Sequence, residues 1–212
     1  IRTDNVENYY KDLLENGNLE VHAATKIIKK DFLLNNNLFF KKGIISEDNE
    51  WMLRILRCLK KVKIIDQPIY IYRVGREGSI TNTVKKKNVE DMLSIVDESI
   101  QYYQLENEHY LKESELCYCA YLWFSALGLT SQLKKKERND LIPKFKKTSS
   151  VCRYSNSPKT KIAYRVYKIL GIRITMFVLG LYISLNTSKK INKHRMDNNN
   201  ESIDNFSGGM AG

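Results

Sequence analysis

Along the chain, apolar positions recur first at helical spacing, then in short β-branched runs, and then at helical spacing again. Residues 3–15 place Val6, Tyr9, Tyr10, Leu13 and Leu14 on one face, with Thr3 or Asp4 as the N-cap of a helix. The Asn-Gly-Asn of 16–18 ends it. A second amphipathic stretch, 19–33, runs into the Asn triplet 35–37, and residues 38–46 read as extended with a turn at Gly43. Ser46 then opens a strong helix in which Trp51, Met52, Ile55, Leu56 and Leu59 recur at helical intervals. VKIID and IYIYRV follow, separated by Gln67 and Pro68, and their β-branched and aromatic content predicts two strands. Residues 75–83 form a loop rich in turn residues. Beyond about residue 85 the strand signal vanishes. Helices are predicted over 89–103 and 114–133, with a short one around 139–147. A basic and apolar stretch fills 159–185, and the Asn-rich end reads as disordered. No internal repeat is evident.

Composition narrows the classes. The chain has 212 residues, 42% of them hydrophobic, which is enough to bury a core. Ten Gly and three Pro exclude collagen-like and elastin-like sequences. Cys58, Cys117, Cys119 and Cys152 are too sparse for a disulfide scaffold and show no zinc-ligand spacing, so reduced thiols in a cytoplasmic setting are expected. His22, His109 and His194 lack Asp, Glu or Cys partners at metal spacing and read as structural or surface residues. The aromatic group Tyr118, Tyr121, Trp123 and Phe124 reads as helix core. A net charge of +11 raises nucleic acid or an anionic membrane as partners, but no zinc-finger, RNA-recognition or helix-turn-helix signature accompanies it.

Residues 26–80 carry the candidate chemistry. They read as a basic helix, a loop, an acidic helix start at Glu47, Asp48 and Glu50, two short strands and a Gly/Ser loop. On residue types alone the acidic start is a cap: carboxylates in the first turn meet the positive end of the helix dipole.

The order of these features resembles the second half of the catalytic domain of family 2 glycosyltransferases, particularly the bacterial enzymes of surface polysaccharide assembly. The motif positions are Lys26, Ile27, Ile28, Lys29 and Phe32, then Phe40 and Gly43, then Glu47, Asp48 and Trp51. Ile65, Asp66, Pro68, Ile69, Tyr70, Tyr72 and Arg73 follow, and Gly78, Ser79 and Ile80 close the series. The match covers about 55 residues in one continuous order. It departs at Ala24, where many relatives carry Trp, and no Asp-x-Asp string occurs in the chain.

The resemblance implies a mixed α/β fold, the C-terminal part of a GT-A (Rossmann-like) domain followed by a mainly α-helical extension. On that division, residues 1–84 are the acceptor side of the transferase domain and 85–158 the helical extension. Residues 159–188 are a basic amphipathic helix in contact with a membrane surface, and 189–212 a disordered tail. The implied function is inverting transfer of a sugar from a nucleotide-sugar to a glycan or lipid-linked acceptor. Asp48, matching the second residue of the family's Glu-Asp pair, would be the general base. Glu47, Tyr72, Arg73 and Ser79 would bind substrate. A divalent cation, Mg or Mn, is expected for a complete enzyme, with no ligand motif for it here. Because the donor-binding half has no counterpart before Lys26, the chain is expected to be incomplete and inactive alone. A base at a helix start has its pKa depressed by the dipole, which weakens it yet keeps it ionised at neutral pH.

The uncharged run from Ile174 to Asn186, about 13 residues, is shorter than the roughly 20 that span a bilayer. Together with Arg165, Lys168 and Arg173 it suits a helix lying in the interface of an anionic leaflet, at the inner face of the plasma membrane. The alternative function, from a different class, is a basic helical module binding nucleic acid or anionic membranes; of these, nucleic acid has charge alone in its favour.

Overall fold

The structure, a computed structural model, describes residues 2–65, 67–68, 70–71, 84–106 and 108–207. Its elements run β1 (Arg2–Asn5), α1 (Val6–Glu15), a 3-10 turn (Ala23–Thr25), α2 (Lys30–Asn35), α3 (Glu47–Cys58), β2 (Lys61–Ile64), α4 (Lys86–Leu105), α5 (Lys112–Thr130), α6 (Lys135–Thr148), a second 3-10 segment (Ser149–Tyr154) and α7 (Pro158–Ser207).

The expected α/β, Rossmann-like architecture is overturned. The described residues are mainly helical, and the sheet among them is a single two-stranded ladder, β1 against β2. That ladder is antiparallel, pairing Arg2 with Ile64 and Asn5 with Lys61. A Rossmann-like layer needs parallel strands joined by crossover helices, which an antiparallel pair closed by the N-terminus does not supply. Of the two predicted strands, VKIID forms over Lys61–Ile64. Within IYIYRV, Tyr70 and Ile71 are exposed and outside any strand. The rest of that run lies outside the described residues.

Local departures have local causes. Thr3 and Asp4 join β1, so the N-cap of α1 moves to Asn5, whose Oδ1 accepts the Glu7 N–H at 2.8 Å. The amphipathic stretch 19–33 does not form one helix; it makes a 3-10 turn, an extended link and the short α2. Ser46 precedes α3 in the left-handed region, φ 74°, and caps with its backbone carbonyl, which accepts the Asn49 N–H at 3.0 Å, rather than with its hydroxyl. That conformation is uncommon for a residue with a Cβ. Gly171, at φ 74° and ψ 177°, breaks α7 into two helical stretches, and helical backbone continues into the Asn-rich tail as far as Ser207.

The core lies among α1, α4, α5, α6 and α7, and Met52, Leu53 and Leu56 of α3 are buried in it. Trp123 is fully buried, its Nε1–H shared between the Phe145 carbonyl at 3.2 Å and Thr148 Oγ1 at 3.1 Å. Phe124, Phe145 and Tyr167 meet its ring edge-on. Tyr118 and Phe124 are buried, and Tyr121 is at the surface. A smaller cluster of Leu38, Trp51 and Ile55 holds the loop before α3.

α3 is fastened to the helical core at both ends. At its start the Tyr118 hydroxyl donates to Asn49 Oδ1 at 2.6 Å, and Asp91 of α4 accepts the Ile45 N–H at 2.7 Å. Near its end Arg57 bonds Glu115 of α5. Glu115 is completely buried, and its two oxygens accept from Arg57, from Ser99 Oγ at 2.9 Å and from the Tyr103 hydroxyl at 2.6 Å. Burial opposes the Arg57 charge, but the adjacent Glu115 outweighs it and holds the guanidinium pKa above its ordinary value. Burial and the Glu115 charge also drive the Tyr103 pKa well above the usual phenol range.

Candidate functional site

The site forms where the segment before α2 folds against the first turn of α3. Glu47, Asp48 and Glu50 all fall in that turn, where backbone N–H groups point outward and a carboxylate is favoured. Their fates differ. Glu50 faces inward, 3% exposed, in a bidentate pair with Arg54 at 2.6 and 2.8 Å and with Lys41 at 3.2 Å. Arg54 in turn donates to the carbonyls of Asn37 and Phe39, which pins the loop leading into α3. Trp51 Nε1–H donates to the Leu38 carbonyl at 2.8 Å, and Phe40 stacks on the indole with centroids 4.6 Å apart. These contacts explain why Trp51 and Phe40 stand where they do. They hold the approach to Asp48.

Glu47 is exposed to solvent. Asp48 is half-buried, its side chain 29% accessible, and its Oδ2 lies 3.4 Å from Nδ1 of His22. The 3-10 turn at Ala23–Thr25 brings His22 there, with Thr25 Oγ1 donating back to the His22 carbonyl at 2.7 Å. Glu20 Oε1 accepts the His22 N–H at 3.0 Å. Lys26 Nζ donates to the His22 carbonyl at 2.9 Å and to Thr25 Oγ1 at 3.1 Å. Partial burial lowers the Lys26 pKa, while the carboxylates of Glu20 and Asp48 act in the opposite direction. An imidazole therefore stands beside one carboxylate that retains access to solvent, with the Lys26 ammonium near enough to feel its charge. Its access to solvent leaves room for a hydroxyl to approach, and a carboxylate within hydrogen-bond reach of a hydroxyl can take its proton.

Two of the residues singled out in the sequence, Lys26 and Asp48, thus lie within range of each other's charge although 22 positions separate them. Glu47 is adjacent and exposed to solvent. Tyr72, Arg73 and Ser79 lie outside the described residues, as do Asp66, Ile69 and the Gly78–Ile80 end of the motif series. His22 and Glu20 are the site residues that sequence reasoning missed, since the contact of His22 with Asp48 bridges 26 positions and leaves no local spacing signal. His109 is structural, its ring stacked on Tyr110 at 4.6 Å with Nε2 3.2 Å from the Arg57 carbonyl.

The side chains at Asp48 do not fit a divalent cation. Among the described residues no three of His, Cys, Asp and Glu converge, and the Lys26 ammonium beside Asp48 would oppose a second positive charge. No protein family, no curated protein and no solved structure matches this chain.

Elsewhere, α7 contains one helix, Pro158–Asn186, that is long and apolar enough by length and composition to cross a membrane. All four cysteines are free thiols. Burial pushes the Cys117 and Cys119 pKa values up to about 12 and that of Cys152 higher still, so these three are packing groups rather than nucleophiles.

Proposed function

We propose that the chain is the acceptor-side segment of an inverting glycosyltransferase of surface polysaccharide synthesis, with Asp48 as general base. The reading rests on the motif order from Lys26 to Ile80 and makes no use of a Rossmann-like sheet. The observation that carries it is the solvent-accessible Asp48 carboxylate beside His22 at the start of a firmly anchored helix, within range of the Lys26 charge. In the transfer step an acceptor hydroxyl oxygen bonds to the anomeric carbon of a nucleotide-sugar as the bond from that carbon to the diphosphate oxygen breaks. Asp48 takes the hydroxyl proton, and the electron pair of the broken bond leaves with the diphosphate. Glu47, at the exposed edge, is placed for hydrogen bonds to an acceptor sugar. Donor-side contacts belong to residues outside this site.

The reading sets the protein in the cytoplasm at the inner face of the plasma membrane, where lipid-linked acceptors are presented. Four free thiols and an exposed apolar stretch of α7 agree with that setting. The test is transfer from a panel of UDP- and GDP-sugars in membranes of cells expressing the complete reading frame that encodes this chain. Asp48→Asn should lower the rate by about a hundredfold or more. A rate within a few-fold of wild type removes Asp48 as the base.

A further inference from the structure

α7 has two faces of unlike character. The inner face packs on α5: Ala163, Thr175 and Met176 are buried, and a Cβ added at Gly128 of α5 would come within 2.6 Å of Ile183 Cδ1. On the outer face Ile174, Phe177, Val178, Leu181, Tyr182 and Leu185 are each 42–64% exposed. Their intervals follow the helical repeat, so they form one continuous apolar stripe. A contiguous stripe of this kind marks an interaction surface, because isolated exposed apolar residues need no partner but a row of them does.

Charge selects the partner. Between residues 158 and 186 there is no Asp or Glu, while Lys159, Lys161, Arg165, Lys168 and Arg173 are all exposed. A recess at the Gly171 break is lined by Lys146, Tyr167, Lys168 and Ile172. The complementary surface is therefore both apolar and anionic. A second copy of this chain would bring another net charge of +11 against the first. Pro158–Asn186 has the length to cross a bilayer, but the stretch from Ile174 to Asn186 rises only roughly 20 Å against a hydrocarbon core of about 30 Å, so a crossing would carry the Arg173 charge into the hydrocarbon. Crossing would also strip Thr175 and Met176 from α5.

We propose that the outer face of α7 docks flat on an anionic lipid leaflet, with Phe177 and Leu181 inserted at the headgroup boundary and Arg165 and Arg173 paired with lipid phosphates. The proposal does not depend on the transfer reading, because it is scored without any sugar donor and either can fail alone.

Flotation of the full chain with vesicles of phosphatidylcholine, with and without phosphatidylglycerol, is the test. Binding should require phosphatidylglycerol and weaken as salt is added. The double variant Phe177→Asp/Leu181→Asp should lose about tenfold or more in partitioning, with an unchanged circular dichroism spectrum because both positions face solvent. Arg165→Glu/Arg173→Glu should lose the phosphatidylglycerol preference. Vesicle binding that neither variant alters would overturn the assignment of this face. So would binding that resists alkaline carbonate extraction, which would mean a crossing helix. A dimer in sedimentation that the Phe177/Leu181 variant dissociates, with no vesicle binding, would mean the occupant is a second copy.

Discussion

Two carboxylates, Glu115 and Asp48, sit near opposite ends of α3 in opposite circumstances. Glu115 is completely buried and surrounded by donors from Arg57, Ser99 and Tyr103. Asp48 is half-exposed beside His22 and Lys26. A buried charge is tolerated only when its hydrogen-bonding capacity is filled, and a filled carboxylate has nothing left for a substrate. A general base would need the reverse, a carboxylate with open hydrogen-bonding capacity and enough access to meet a hydroxyl. The contrast teaches that the more elaborate network in this molecule is the structural one.

The largest effect expected from breaking this contrast is on the buried side. Glu115→Gln leaves the Arg57 charge without its counter-charge and should cost about 3–5 kcal/mol, read as a fall in the urea midpoint. A cost under about 1 kcal/mol would show that the network is looser than its geometry. Asp48→Asn, by contrast, should change stability by no more than about 0.5 kcal/mol, since the side chain is partly solvated. A large loss of stability in that variant would move Asp48 into the structural class and undo the comparison.

A pH titration sharpens the same point. Burial raises the Cys117 and Cys119 thiols from about 9 to about 12, and it raises Tyr10 from about 10 to about 12. The folded chain thus holds protons that the unfolded chain releases, so this part of the stability is complete below pH 9 and is lost as pH climbs towards 12. Thermal melts across that window should show a falling midpoint, and Cys119→Ala should flatten the slope once its own packing loss is subtracted. The smallest effect concerns Lys26. Removing the Asp48 charge should move the Lys26 pKa further down, because one of the two carboxylates opposing its desolvation is gone. Carbon-detected NMR titration of the lysine side chains reads this, and an upward movement would mean that the two groups do not interact.

Much of the helical part was legible in the sequence. The apolar positions of α3, α4 and α5 recur strongly enough for tertiary packing to agree with local pattern, and Trp123 and Phe124 fall in the core as their helix demanded. The stretch 19–33 shows where local pattern fails. Its helical periodicity yields to a 3-10 turn whose bonds run from Thr25 and Lys26 back to the His22 carbonyl. β1 could not be read at all, because Arg-Thr-Asp-Asn has no strand pattern and becomes a strand only through pairing with β2. The expectation of a larger sheet failed for a related reason: short β-branched runs say what suits a strand but not whether partners exist. At the site, Asp48 was singled out only by its match to the Glu-Asp pair of the motif series, since its place in the first turn of α3 reads by itself as a cap. His22 was not, since its role comes only from the way the chain folds back.

The two-ended fastening of α3 bears on how the site can move. Asn49 and Ile45 are tied to α5 and α4 at one end, and Arg57 is tied to α5 at the other. A rod bolted at both ends does not swing, so Asp48 keeps a fixed address relative to the helical body. The His22–Lys26 turn closes mostly on itself through short-range bonds. Any accommodation of an incoming molecule would fall to that turn, making the site a stationary anvil with one compliant jaw.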